Sequence, residues 1–216
     1  MYYTKLEKIY IESNCLSEFS EDLLLSFDSY LQTIVLQNET FISPYEFAVI
    51  NKMSLEQSIK FFLYFVDDTD SEKGVLSTSL FFECTTNNCF ERIFLDESQV
   101  DEFEYLCTEC NKIYAYEDIK SIIKVYFQIN EETLKDNEQF DKNSTMDILE
   151  RMPDNLKEKS PSSSANQPVF DQSDEGAINL ELVHSINSNQ NNDVVSADFN
   201  ELYSQFSHNY SDFLKG

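Results

Sequence analysis

The chain has 216 residues with 18 Phe, 12 Tyr, no Trp and only 3 Gly, and its 41% hydrophobic content is enough to build a core. So few glycines exclude the glycine-rich phosphate loops of the commonest nucleotide-binding designs, and neither G-x-G-x-x-G nor G-x-x-x-x-G-K-S/T occurs. The formal charge of -25, from 40 Asp/Glu against 15 Lys/Arg, repels phosphate backbones and anionic membranes, so a basic protein surface is the natural complement.

Composition divides the chain into an N-terminal helical segment (1–40), a periodic, apolar-rich region (41–130), a polar and acidic stretch read as a largely disordered linker (131–195), and a short periodic end (196–216). The first residues contain no apolar signal-peptide core, and no run reaches the roughly 18 apolar residues of a membrane span. Five cysteines, an odd number, fit a reducing compartment better than a disulfide framework, so a cytoplasmic location is expected.

In chain order, a short helix or strand is possible near residues 6–11. Leu23, Leu24, Leu25, Phe27, Tyr30, Leu31, Ile34 and Val35 then recur at helical spacing within 21–37, behind Ser20 as N-cap. At 43–46, Ser-Pro-Tyr-Glu reads as a capping box with proline at the first helical position, and Ser54-Leu-Glu-Gln57 is a second box opening a helix to about residue 66. Two capped helices joined at Lys52-Met53 make a helix-turn-helix, and the strands expected at 75–83 and 90–95 add a wing.

Four cysteines follow as C-x4-C and C-x2-C, with seventeen residues between the pairs. Cys84 and Cys89 enclose Thr-Thr-Asn-Asn, and Cys107 and Cys110 enclose Thr-Glu; each pair sits where one strand gives way to the next. Two short turns facing one another bring four thiolates to the corners of a tetrahedron, the preferred structural site of zinc, with no open position for a reacting water. Buried free thiols, a redox pair and an iron–sulfur centre are the alternatives; Cys107 and Cys110 do not precede the helix start a thioredoxin-like motif needs. Cys15 reads as a core thiol.

A winged helix followed by a four-cysteine ribbon resembles the N-terminal module of the large subunit of transcription factor E, over about residues 41–127, and bacterial regulatory proteins of that architecture. The resemblance implies a zinc-ligand role for Cys84, Cys89, Cys107 and Cys110; the first pair is spaced C-x4-C where that family more usually has C-x2-C.

A DNA reader would need cations on the second helix of the motif, yet only Lys52, Lys60 and Lys73 are available, beside Asp67, Asp68 and Asp70. His184 and His208 lie far from the cysteines, so no catalytic dyad is expected. Within the linker, 144–152 could form a helical turn or two, and 177–183 a short strand. At the C-terminus Phe199, Leu202, Tyr203, Phe206, Tyr210, Phe213 and Leu214 form one aromatic helical stripe, which could dock in a partner's groove or fold back on the chain. The expectation is an α+β protein with an N-terminal helix, a winged helix-turn-helix, zinc-ribbon hairpins, an acidic linker and a C-terminal amphipathic helix. It would act without catalysis, as a regulator or adaptor. A sequence-specific DNA-binding regulator and an acidic nucleic-acid mimic are the alternatives.

Overall fold

The computed structural model of the chain describes residues 3–37, 39–66, 74–95, 104–130, 176–188 and 194–213, with side chains from Thr4 to Phe206. Three helices open it: α1 (Tyr3–Glu12), α2 (Cys15–Glu18) and α3 (Glu21–Leu36). Leu24, Phe27, Tyr30, Leu31 and Ile34 form the buried face of α3. Ser20 takes the N-cap position, but it caps through its backbone: its carbonyl accepts the Leu23 N–H at 3.1 Å.

Strand β1 (Phe41–Ile42) leads into α4 (Pro44–Asn51) and α5 (Leu55–Leu63). The box at Ser54 is complete: Gln57 N–H reaches Ser54 Oγ at 3.2 Å, and Ser54 N–H reaches Gln57 Oε1 at 3.1 Å. The box at Ser43 is half as expected. Ser43 Oγ accepts the Glu46 N–H at 3.3 Å, but Glu46 does not return the bond. The Tyr30 hydroxyl accepts the Ser43 N–H at 3.1 Å instead and donates to Glu46 Oε2 at 3.0 Å. A hydroxyl of α3 thus caps α4 and fixes the two helices together.

Their interface is aromatic. Phe27 lies 5.0–5.4 Å, centroid to centroid, from Phe47, Phe61, Phe62 and Phe65. Each such contact contributes about 0.5–1.5 kcal/mol beyond area burial. Helix α5 stops at Leu63, short of the expected end, because Tyr64–Val66 tighten into a turn on which the next strand is pinned: Leu76 N–H bonds Phe65 O at 2.8 Å.

The remaining elements are β2 (Leu76–Glu83), β3 (Arg92–Leu95), β4 (Glu104–Leu106), β5 (Ile113–Ala115), α6 (Tyr116–Ile119), β6 (Lys124–Ile129), β7 (Ile178–Asn179), α7 (Leu180–Asn187) and α8 (Ala197–Phe213). The main sheet runs β1-β6-β2-β3 with antiparallel neighbours, and β4-β5 form a separate hairpin. The expected β2–β3 hairpin forms, pairing Leu80 with Leu95 and Glu83 with Arg92, yet the longer partner of β2 is β6. Everything from β3 to α6 is therefore an insertion between two adjacent strands. Strand β7 pairs Ile178 with Val125, and so lines the same edge of β6 that β1 occupies at Ile42 and Phe127.

Residues 176–188 fall inside the stretch read as linker, and here they are part of the fold. The chain enters at Gly176, whose φ of 83° favours glycine and where a Cβ would fall 2.5 Å from Ser43 Oγ. The strand expected at 177–183 is only two residues long, because Asn179 caps a helix, its side chain accepting N–H bonds from Glu181 and Leu182. Leu180 and Val183 then sit one helical turn apart and are buried. Helix α7 packs against α5, and α8 against α7. A buried clasp joins these last two helices: Asn187 Nδ2 donates to Ser196 O at 3.0 Å, and Ser196 N–H donates to Asn187 Oδ1 at 2.7 Å.

The aromatic stripe of α8 thus meets the chain itself. Phe199 and Phe206 are 1% and 4% exposed within the main core, with Leu202 and Tyr203 packed against it. Of the two destinations weighed for this stripe, these four residues take the internal one, packing into the main core beside α7. Tyr210 and Phe213 lie on the last turns of α8, beyond the described side chains, and Leu214 lies outside the described residues, as do 131–175 with the short helix expected at 144–152.

Phe199→Ala should therefore lower stability by about 3–5 kcal/mol, read as a urea midpoint shift; an unmoved midpoint would place this ring outside the core. A second expectation concerns His184, which stacks on Tyr203 at 3.6 Å and whose pKa burial pulls below its ordinary 6.5. The folded state then binds the proton less readily than the unfolded one. The α7–α8 contact should be at full strength above pH 6.5 and weaken as pH falls below it. Amide protection factors of α7 and α8, corrected for intrinsic exchange, should drop between about pH 8 and about pH 5 in the native protein and stay flat in His184→Phe.

Candidate metal centre

Strand β2 ends at Glu83 and delivers Cys84 to the first of two tight turns. Each turn needs one residue in the left-handed region, and each has an asparagine there: Asn88 with φ 66° before Cys89, Asn111 with φ 58° after Cys110. Backbone bonds hold both in shape. Cys84 N–H donates to Glu91 O at 2.9 Å, Cys89 N–H to Thr86 O at 3.0 Å, and Cys107 N–H to Lys112 O at 2.9 Å. The two turns face one another because Tyr105 and Tyr114 of the β4-β5 hairpin pack edge-on against Phe82 of β2, at 6.1 and 5.1 Å.

The outcome is one cluster. The sulfurs of Cys84, Cys89, Cys107 and Cys110 lie within 4.8 Å of one another, with 3.5 Å between Cys84 and Cys110 and between Cys89 and Cys107. These separations exceed the ~2.05 Å of a disulfide. They bracket the ~3.8 Å edge of a tetrahedron whose centre lies ~2.3 Å from each sulfur. Four sulfur donors, with no histidine or carboxylate among them, suit zinc in a closed structural site.

The surroundings divide the four: Cys84 and Cys110 are drawn toward the thiolate, whereas Cys89 and Cys107 are held toward the thiol. Backbone N–H groups of Thr86, Glu91, Cys110 and Lys112 serve the sulfurs of Cys84, Cys89, Cys107 and Cys110, in that order. Burial would raise the Cys84 pKa, but hydrogen bonds from Thr86 and Tyr114 outweigh it and bring it to about 6. Cys110 is lowered as well, first by the Thr86 hydroxyl. Cys107 goes the other way: burial and the Glu91 carboxylate, 2.7 Å from its sulfur, favour the protonated thiol. Binding a metal there displaces that proton, which makes affinity pH-dependent.

Two residues that the sequence did not flag complete the site. The Tyr114 hydroxyl accepts the Thr85 N–H at 2.7 Å and lies 3.0 Å from Cys84 Sγ. Glu91 accepts from the Cys107 thiol, the Thr108 hydroxyl and the Glu109 N–H, which together draw its own pKa down to about 2. It straps the second turn to the strand leaving the first. No sequence signal marks Glu91 or Tyr114, since neither falls within the spacing of either cysteine pair.

The other singled-out residues lie elsewhere. Cys15 is fully buried beside α3, its pKa pushed to about 12 by burial and by Glu18, which makes it an inert core thiol as expected. Lys52 caps α4 with a left-handed backbone and is exposed. Lys60 is ion-paired with Glu18, which also accepts the Tyr64 hydroxyl at 3.0 Å. Lys73 lies outside the described residues. Among the described residues no helix is long and apolar enough to cross a membrane.

No protein-family model, no curated protein and no solved structure matches this chain. The four-cysteine cluster itself supports the metal assignment: a site for one structural zinc ion.

Cys107→Ser, or chelation of the native protein, should unfold the ribbon, seen as lost amide protection in β4 and β5 and a lower melting temperature. Cys15→Ser should keep one zinc per chain. Unchanged melting of Cys107→Ser would remove the structural role of the metal.

Proposed function

We propose that this chain is a non-enzymatic, zinc-stabilised regulator or adaptor of winged-helix type that works through protein contacts. Support for the winged helix comes from the order α3, β1, α4, α5, β2, β6 and the antiparallel neighbours β1-β6-β2, with the ribbon inserted where the wing would turn. The absence of a catalytic role is argued from chemistry: a site closed by four thiolates has no position for substrate or activated water.

The observation that carries the choice between protein and DNA is the state of α5. Its middle cation, Lys60, is bound to Glu18, most of its surface is buried, and α7 packs against it. A reading helix needs a free polar face with Arg, Lys, Asn or Gln turned outward. Here Glu56 and Gln57 are the exposed positions of α5, and the charge of -25 opposes the duplex. DNA binding is the second reading, kept alive by exposed Lys52 at the turn between the helices.

Elemental analysis should return one zinc per chain. Native pull-downs should give the same protein partner with and without nuclease, and fluorescence anisotropy should show no duplex binding tighter than the non-specific range of about 10⁻⁴ to 10⁻⁶ M. A catch lost on nuclease treatment, together with salt-dependent duplex binding, would put the DNA reading in its place.

A further inference from the structure

The apolar stripe of α8 is turned inward, whereas α4 turns apolar side chains outward. Its buried residues are Pro44, Phe47 and Ala48, and Phe47 meets Phe27 of α3 and Phe61 and Phe62 of α5. The outward positions are Tyr45, Glu46, Val49 and Ile50. Spaced i, i+1, i+4 and i+5, they are neighbours on the helix surface and make one patch. Tyr45, Val49 and Ile50 are 40%, 72% and 54% exposed. A surface helix ordinarily turns polar residues to water. One exposed apolar side chain is common, but three of four outward positions on two turns form an uncovered apolar face.

Charges of both signs flank this face. Glu46 lies three residues before Val49 and Lys52 three residues after it, and both are exposed. Glu39, which acts with Glu46 on the Tyr30 hydroxyl, adds to the acidic end. Lys52 caps the helix, and among the described residues nothing pairs with its ammonium. Glu56, in the first turn of α5, is the exposed charge beyond it. Along α4 the order is thus acid, apolar, base, which is self-complementary. A second copy laid across the helix antiparallel, with a two-fold axis at Val49, sets each Glu46 against the partner's Lys52 and Val49 against Val49.

We propose that α4 is a homodimer contact, in which Tyr45, Val49 and Ile50 of two copies pack across a two-fold axis and Glu46 and Lys52 pair between them. The proposal concerns the chain's own assembly and stands apart from the partner reading above. Charge selects the occupant. A basic segment is repelled by Lys52, and phosphate or an anionic membrane by Glu39 and Glu46, whereas a second copy matches both ends at once. The contact is small. Three apolar side chains per copy fall short of the ~800 Å² per partner of a standard interface, which places the dimer in the weak class, with a Kd of about 10 μM to 1 mM. Two chains of charge -25 also repel one another at long range; salt screens this repulsion beyond ~10 Å at 0.1 M.

The test is sedimentation equilibrium of the full zinc-bound chain from about 10 μM to about 1 mM at roughly 0.2 M salt, with amide chemical shifts followed over the same range. A monomer–dimer equilibrium is expected, with concentration-dependent shifts centred on residues 45–52. Val49→Glu sets two carboxylates together at the axis and should weaken the dimer at least roughly ten-fold, with melting unchanged. Glu46→Lys and Lys52→Glu should each weaken it by about three- to ten-fold, and the double variant should restore it. The direction separates local pairing from overall charge: Glu46→Lys makes a chain of -25 less negative by two units, and would tighten a dimer governed by net charge alone. A chain monomeric at 1 mM, shifts centred elsewhere, an inert Val49→Glu, or a double variant no better than the single ones would overturn the proposal. So would shifts at 45–52 that appear only when a different protein is added, which would make that protein the occupant. Each of these failures leaves the partner reading standing, since that reading is decided by the nuclease-treated pull-down.

Discussion

Strands β2 and β6 pair from Leu76 with Ile129 to Phe81 with Lys124, although all of 84–123 lies between their near ends. Closing such a loop costs entropy that two neighbouring strands joined by a tight turn would not lose. The cysteine centre is the device that meets this cost. Cys84 is the first residue beyond β2, and tying it to Cys107 and Cys110 converts one long excursion into a short crosslinked module. Once that module is formed, α6 leads the chain into β6 with little freedom left. The sheet, the helices packed on it, and the β7 edge all rest on a β6 positioned in this way.

Charge is managed with the same economy. Glu83 stands 3.7 Å from both Arg92 and Lys124, on the strands either side of β2, so one carboxylate links three strands. The Arg92 guanidinium also lies 5.9 and 5.8 Å from the centroids of Phe81 and Tyr126, which are themselves stacked at 4.3 Å on the face opposite the main core. Exposed ion pairs contribute little individually. In a chain with 15 basic residues against 40 acidic ones, their weight lies elsewhere: they occupy scarce cations inside the fold.

The parts of the fold written in local chemistry were legible. Ser54 and Gln57 announced α5, Pro44 fixed the start of α4, and turn-forming residues around four cysteines disclosed the metal centre before any geometry was known. What escaped depends on contacts between distant segments. Tyr30 displaces Glu46 from its capping bond only because α3 lies against α4. The partnership of β2 with β6 is hidden by the nearer candidate, β3. The strand expected at 177–183 shrinks to two residues and nothing local announces its partner on β6, while the hydrophobic stripe on α8 reads the same whether its groove belongs to this chain or to another. Glu91 and Tyr114 serve the sulfurs from positions that no spacing rule marks.

The late return of the chain at Gly176 has a consequence for biosynthesis. Pairing of residue 178 with residue 125 and packing of α7 on α5 both wait for the C-terminal segment. A chain emerging N-terminus first would present the apolar side of α5 and the uncovered part of the β6 edge to solvent for seconds, at ordinary elongation rates of about 5–20 residues per second. Helices α3 to α5 precede strands β2 to β7 and can form early, whereas the final cover arrives only when residues 176–206 have emerged. During that interval apolar surface and a strand edge are open to misassociation, and truncation anywhere in the preceding stretch would make the interval permanent.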